Sequence, residues 1–195
     1  MEEIIHKKKQ LAIFASGNGT NAQQICEYFA NNKNINIACI IYNRPDAFVA
    51  KRAENLGIES IYMNRADFYD NGKVLTYLLD KKIDWIILAG FLWLIPENLL
   101  TTFPNHIINI HPALLPKYGG KGMYGHHVHK AVIDNHETES GITIHLIDNQ
   151  YDKGSILHQA KCAISPEDTP ESLAEKIHQL EKQYFPQIIE KTILT

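Results

Sequence analysis

At 195 residues, with 45% hydrophobic and 21% charged side chains, the chain has the size and balance of one globular domain with a buried core and room for a ligand cleft. A formal net charge of −3, with ten histidines counted neutral, provides no broad basic surface, so neither nucleic acid nor a membrane surface is an expected partner. The apolar run 85–95 is too short to span a bilayer, no signal-peptide core follows the lysines at 7–9, and Cys26, Cys39 and Cys162 form no CxxC pair, which makes the reducing cytoplasm the expected compartment.

In chain order, LAIFA (11–15) reads as a buried strand, and Ile25, Tyr28 and Phe29 place a helix over 21–32. INIACIIY (35–42) is a second strand. Asp46 is the expected cap of a helix that runs through Leu56 and ends at Gly57. A third strand covers 58–63 and a helix about 73–82. DWIILAG (84–90) is continuously apolar, as a central parallel strand should be. Pro96 opens a short helix and HIINIHP (106–112) is the next strand. Residues 113–124 read as a long loop, 126–134 as a helix, and 141–148 with 155–164 as a pair of strands. Thr169-Pro170-Glu171 opens a final helix to about Lys191, with proline near its first position. This alternation predicts an α/β fold with a doubly wound, mostly parallel sheet and an antiparallel segment near its C-terminal end. Ligands in such sheets bind beyond the carboxyl ends of the strands, where the loops after 11–15, 84–90 and 106–110 would meet.

The first of those loops, Gly17-Asn18-Gly19-Thr20-Asn21-Ala22, fits a relaxed G-x-G-x-x-A dinucleotide fingerprint. The acidic residue that should end the second strand is missing, since Ile41-Tyr42-Asn43 leads into Arg44. A triphosphate loop is excluded more firmly, because no Gly-Lys-Ser/Thr follows. A strand, a flexible turn and a helix N-terminus remain, which suit either a monophosphate or an ordinary capped turn.

Asn109 and His111 stand two apart on a strand and so share a face. An imidazole that exchanges protons near neutral pH beside an amide donor suits acyl transfer to an amine. The plainer alternative is that Asn109 ends the sheet while His111 satisfies a backbone carbonyl. Asp152, in DNQYDKGSI (148–156), is an acid that could hold an imidazolium; Asp148 competes with it, and Asp-Lys-Gly also suits a hairpin turn. His126, His127 and His129 raise the question of a metal, but no Cys, Asp or Glu stands at a matching spacing, so none is expected and a solvated helix start is.

SGNGTN (16–21), LAGFLWLI (88–95), NIHPALLPKY (109–118), SGITIH (140–145) and YDKGSILHQA (151–160) occur in this order, and together they resemble the phosphoribosylglycinamide formyltransferase family of folate-dependent enzymes. The resemblance runs from about Leu11 to the last helix. It implies a Rossmann-like formyltransferase fold in a single domain, 1–195, with a phosphate-binding half at about 11–105 and a catalytic and folate-binding half at about 106–195. It implies formyl transfer from 10-formyltetrahydrofolate, a co-substrate, to the amine of 5-phosphoribosylglycinamide, with no metal. Asn109, His111 and Asp152 match the family's catalytic trio. Gly17, Asn18, Gly19, Thr20 and Asn21 match its phosphate loop, and Glu181 a carboxylate that holds the substrate ribose. Leu92, Trp93, Leu94 and Ile95 match the segment lining the pterin pocket, with Asn109 beside it and Arg65 at a basic position near the folate. The partners expected are these small molecules and, in a homodimer, a second copy of the chain.

The chain departs from the pattern in two places. Phe-Leu-Trp-Leu replaces the Phe-Met-Arg-Ile of many members, and Gly119–Gly125 (GGKGMYG) lengthens the loop after Lys117. Trp93 is expected to change the rim of the pterin pocket. Three alternatives stand against transfer. A formyltetrahydrofolate deformylase would carry an N-terminal regulatory domain, and a methionyl-tRNA formyltransferase a C-terminal tRNA-binding domain; neither is expected here. A non-catalytic nucleotide-binding relative would not need Asn109, His111 and Asp152 together.

Overall fold

The computed structural model of the protein describes residues 7–147 and 154–195. Their strands are β1 (Lys9–Ala15), β2 (Ile35–Tyr42), β3 (Ser60–Tyr62), β4 (Trp85–Leu88), β5 (Ile107–His111), β6 (Glu139–Leu146) and β7 (Ile156–Ala163). The helices are α1 (Thr20–Phe29), α2 (Val49–Leu56), α3 (Arg65–Tyr69), α4 (Lys73–Asp80), α5 (Glu97–Thr102), α6 (His126–Asp134) and α7 (Pro170–Leu194). One sheet runs in the order β3-β2-β1-β4-β5-β6-β7. Its pairs are parallel from β3 to β5 and antiparallel from β5 to β7, as the sequence pattern predicts.

The sheet is covered on both faces. Leu11, Ile13 and Ala15 of β1 pack with Ile25 and Phe29 of α1, Val49 of α2 and Ile177 of α7; Ala12 and Phe14 pack with Phe68 of α3, Leu78 of α4 and Leu99 of α5. Alternate strand residues therefore feed opposite cores, which is why β1 and β4 are apolar on both sides. The same alternation sends Ile108 and Ile110 of β5 to the α1/α7 face. Asn109 and His111 take the other phase of the strand, at its carboxyl end.

Local details depart from the sequence reading. Asp46 does not cap α2: the cap position is Phe48, and the Asp46 carboxylate pairs with Arg44 at 3.0 Å, which holds it below the usual carboxylate range. The first N–H of α2, from Val49, donates instead to Gly17 O at 3.2 Å. Residues 65–69 form a helix that the hydrophobic periodicity does not announce; Asn64 and Asp67 build a capping box at its start. Helix α7 opens where expected: the Thr169 side chain forms a capping box with Ser172, Pro170 stands in the first turn, and the helix continues to Leu194. No helix among the described residues is long and apolar enough to cross a membrane.

Helix α7 closes over α1. Tyr28 Oη donates to Glu190 Oε2 at 2.7 Å and Asn32 Nδ2 to Glu190 Oε1 at 2.6 Å, while Phe185 and Ile189 enter the core beneath.

Candidate active site

After β1 the chain turns through Ser16–Asn21 into α1. Buried Ser16 ties this turn to the next strand exit: its N–H donates to Gly90 O at 3.1 Å and its Oγ accepts from Leu92 N–H at 2.9 Å. Gly19 takes a left-handed φ of 74° at the start of α1, and a Cβ there would stand 2.4 Å from Val49 Cγ2, so glycine alone suits both the conformation and the space. Gly17 is different, with no heavy atom within 4 Å of where its Cβ would stand. Among the described residues, nothing accepts a hydrogen bond from the backbone N–H groups of Gly17 to Asn21. Such groups at a helix start, with the positive end of the helix dipole, can take an anion.

Asn21 points across to α7, where its Nδ2 donates to Glu181 Oε2 at 3.0 Å. Glu181 is 7% exposed. Burial pushes its carboxyl above the usual range, opposed by the Asn21 bond and by nearby His178. His129 of α6 is also buried, which pushes its imidazole down to about 4, with His178, His126 and His111 adding to the effect.

At the end of β5, Asn109 lies opposite His145 in the antiparallel register with β6. Asn109 Nδ2 stands 3.1 Å from His145 Nε2, and His145 Nδ1 stands 3.0 Å from Leu146 O. A carbonyl only accepts, so Nδ1 carries the hydrogen; Nε2 then accepts from the Asn109 amide. His111 Nε2 donates to Tyr118 O at 2.7 Å. Tyr118 is left-handed, with φ 56°, and its hydroxyl donates to Glu137 Oε1 at 2.9 Å. The carbonyl contact anticipated for His111 is therefore present. The contact fixes the ring, and His111 also lines a cavity.

That cavity, of about 690 Å³, is where the strand exits converge. Its walls comprise Gly17–Asn21, the exit of β4 from Leu88 to Ile95, Asn109 to Pro112, Gly120 to Gly125, and His129, Ile147, His178 and Glu181. In the β4 exit, Leu92 and Leu94 are 44% and 40% exposed while Phe91 and Ile95 are buried. Tyr69 Oη holds the segment by donating to Leu94 O at 2.8 Å. Trp93 packs edge-on against Phe68 and Phe91. Arg65, exposed and outside the cavity lining, lies over the Tyr69 and Trp93 rings, 4.9 and 5.9 Å from their centroids.

The structure thus brings Gly17–Asn21, Leu92–Ile95, Asn109, His111 and Glu181 to one cavity and leaves Arg65 outside its lining. Asp152 and its competitor Asp148 lie outside the described residues. Sequence reasoning missed His145, whose position opposite Asn109 depends on strand register. It also misread His129: His126 and His127 are exposed as expected at a solvated helix start, but His129 turns inward. The i, i+1 and i+4 spacing of Val128, His129 and Val132, all buried, is the signal that could have found it. No group of three or more His, Cys, Asp or Glu among the described residues is arranged to hold a metal ion.

A family described as "Formyl transferase" matches residues 9–189. The chain is 36% identical over 189 residues to an Arabidopsis thaliana protein named "Phosphoribosylglycinamide formyltransferase, chloroplastic", a match covering 94% of this chain and 65% of that protein. A Vigna unguiculata protein of the same name is 37% identical, with 62% of its length covered. The chain therefore spans somewhat under two thirds of these plant relatives. A Haemophilus influenzae protein, "Phosphoribosylglycinamide formyltransferase", is 33% identical, with 93% of this chain and 85% of that protein covered. Among solved structures, the phosphoribosylglycinamide formyltransferase from Bacillus halodurans superposes with a TM-score of 0.85 at 32% identity, covering 95% of each chain.

Proposed function

The chain belongs to the formyl transferase family, and from that premise we propose that it transfers the formyl group of 10-formyltetrahydrofolate to the amine of 5-phosphoribosylglycinamide, in purine synthesis. One observation carries this reading: a single cavity is walled at once by unpaired loop N–H groups, by the Asn109–His111 pair and by the Leu92–Ile95 segment. In this reading the loop holds the ribonucleotide phosphate and Glu181 its ribose. The apolar β4 exit, with main-chain groups among leucines, suits the faces and edges of a flat pterin ring.

The amine nitrogen attacks the formyl carbon and a C–N bond forms, leaving negative charge on the formyl oxygen. Asn109 has two amide hydrogens; one is held by His145, and the other is assigned to that oxygen together with protonated His111. The bond from the formyl carbon to the folate nitrogen then breaks. The amine gives up one proton and the folate nitrogen receives one, with His111 as the carrier. Asp152 is assigned the task of keeping the imidazolium populated. No step is assigned to a metal or a covalent nucleophile. Arg65, stacked on Trp93, is assigned to the basic position near the folate. The compartment proposed is the cytoplasm, where the unpaired cysteines would persist; burial pushes the thiols of Cys26 and Cys39 up to about 12 and keeps them unreactive.

Purified protein given both substrates should release tetrahydrofolate in step with formylated ribonucleotide. Equal release without the ribonucleotide would mean hydrolysis and would overturn the transfer reading.

A further inference from the structure

The glycine loop is held from behind by α2, and Arg52 does most of the holding. Its Nε donates to Asn18 O at 2.7 Å, its Nη2 to Asn18 Oδ1 at 2.9 Å, and its Nη1 to Gln23 Oε1 in the first turn of α1. The Phe48 ring lies beneath the guanidinium, 5.1 Å from centroid to carbon. One turn earlier on the same helix, Val49 N–H takes Gly17 O, and the Val49 side chain fills the space against Gly19.

These contacts decide where the loop amides point. A trans peptide is planar, with its N–H directed opposite to its C=O. Tying Gly17 O to α2 therefore turns the Asn18 N–H away from α2, and tying Asn18 O does the same for the Gly19 N–H. Both residues line the cavity. The charge of Arg52 adds a second effect. Its neighbours Arg44 and Lys51 are each paired with a carboxylate, at 3.0 and 2.7 Å. Arg52 binds only neutral oxygens, and among the described residues no carboxylate neutralises it. A cation pulling on a peptide oxygen also polarises the N–H on the far side.

We infer that Arg52, which does not line the cavity, is a positioning residue of the anion site: its fork aims the Asn18 and Gly19 amides, and its uncompensated charge favours a phosphate in front of them. The inference rests on the reading of Gly17–Asn21 as a phosphate cradle.

The test follows backbone amide signals of Gly17 to Asn21 by NMR while inorganic phosphate is titrated into the full chain, with steady-state kinetics beside it. Arg52→Gln removes fork and charge; Arg52→Lys keeps the charge and loses the fork. Arg52→Gln is expected to weaken phosphate binding and raise the ribonucleotide KM about tenfold, the loss of a charged hydrogen bond. The folate KM and kcat should stay within about twofold, and Arg52→Lys should recover less than half of the loss. Unchanged phosphate affinity in Arg52→Gln, or equal rises in both KM values, would overturn the inference. Should Arg52→Gln not fold, Arg52→Lys carries the test: full phosphate affinity there would overturn the role of the fork. If phosphate fails to move these amides in the unmodified chain, the cradle reading itself falls, before any variant is measured.

Discussion

The Asn109 amide is held by the Nε2 lone pair of His145, 3.1 Å away, and the tautomer that provides this lone pair is set by the contact of His145 Nδ1 with Leu146 O. An amide so anchored cannot rotate to exchange its oxygen for its nitrogen. His145→Phe should remove the anchor and lower kcat by roughly a hundredfold, the scale of a misplaced catalytic group, with both KM values changed only a few-fold. His145→Gln, which keeps an acceptor, should recover part of the rate. A uniform loss of affinity for both substrates would assign His145 to folding instead.

His111→Ala should lower turnover by about 10²- to 10⁴-fold, the range of a lost acid–base group. The amide shifts that phosphate causes in Gly17–Asn21 should survive in the same variant, since the loop is built by α1 and α2. Asp152→Asn should lower kcat while leaving the ribonucleotide KM in place. Full activity in His111→Ala, read by tetrahydrofolate release, would remove the imidazole from the mechanism.

The two loop glycines should separate packing from ligand approach. At Gly19 a Cβ would collide with Val49 at 2.4 Å in a left-handed backbone. Gly19→Ala should therefore cost at least about 1–2 kcal/mol in denaturant unfolding as well as phosphate binding. At Gly17 a Cβ meets nothing within 4 Å. Gly17→Ala should stay within about 0.5 kcal/mol of the parent in stability, and any fall in phosphate affinity then reports contact with the ligand.

Most strands and the shared face of Asn109 and His111 were legible because both follow from a period of two and from runs that face a core on each side. Residue pairs fixed only by tertiary register were not. His145 sits in GITIHLID like any alternating strand residue, and only pairing of β5 with β6 sets it against Asn109. Glu181 meets Asn21 across 160 residues of sequence, and only the resemblance placed it at the site. Asp46 carries a good capping side chain, yet Arg44 takes its carboxylate and Gly17 O satisfies the helix N–H. Asn64 and Asp67 spelled a capping box that the weak periodicity of a short helix concealed.

Buried His129 should make the fold acid-sensitive. Its imidazole titrates near 6.5 when solvated and at about 4 in the folded chain. The unfolded chain thus binds the proton first, so this contribution is complete above pH 6.5, declines as pH falls toward 4 and is level below. His129→Leu should flatten that segment of the stability–pH curve, by on the order of 1–3 kcal/mol between the two limits. Glu181, whose carboxyl is raised by burial, contributes with the opposite sign, its stabilisation fading as pH rises through its folded titration. Comparing parent and variant isolates His129, and superimposable curves would exclude it.

The bonds from α1 to α7 have a consequence for how the protein is made. The loop at 17–21 leaves the ribosome long before Glu181 and Glu190 exist to fasten α1, a lag of 160 residues for the Asn21 contact. At ordinary synthesis speeds this is roughly 10–30 s. Through that interval the nascent chain can pair β1 with β2 and pack α2 behind the loop, while the wall opposite Asn21 is still to come. The 17–21 wall of the cavity is therefore laid down well before the α7 wall that faces it.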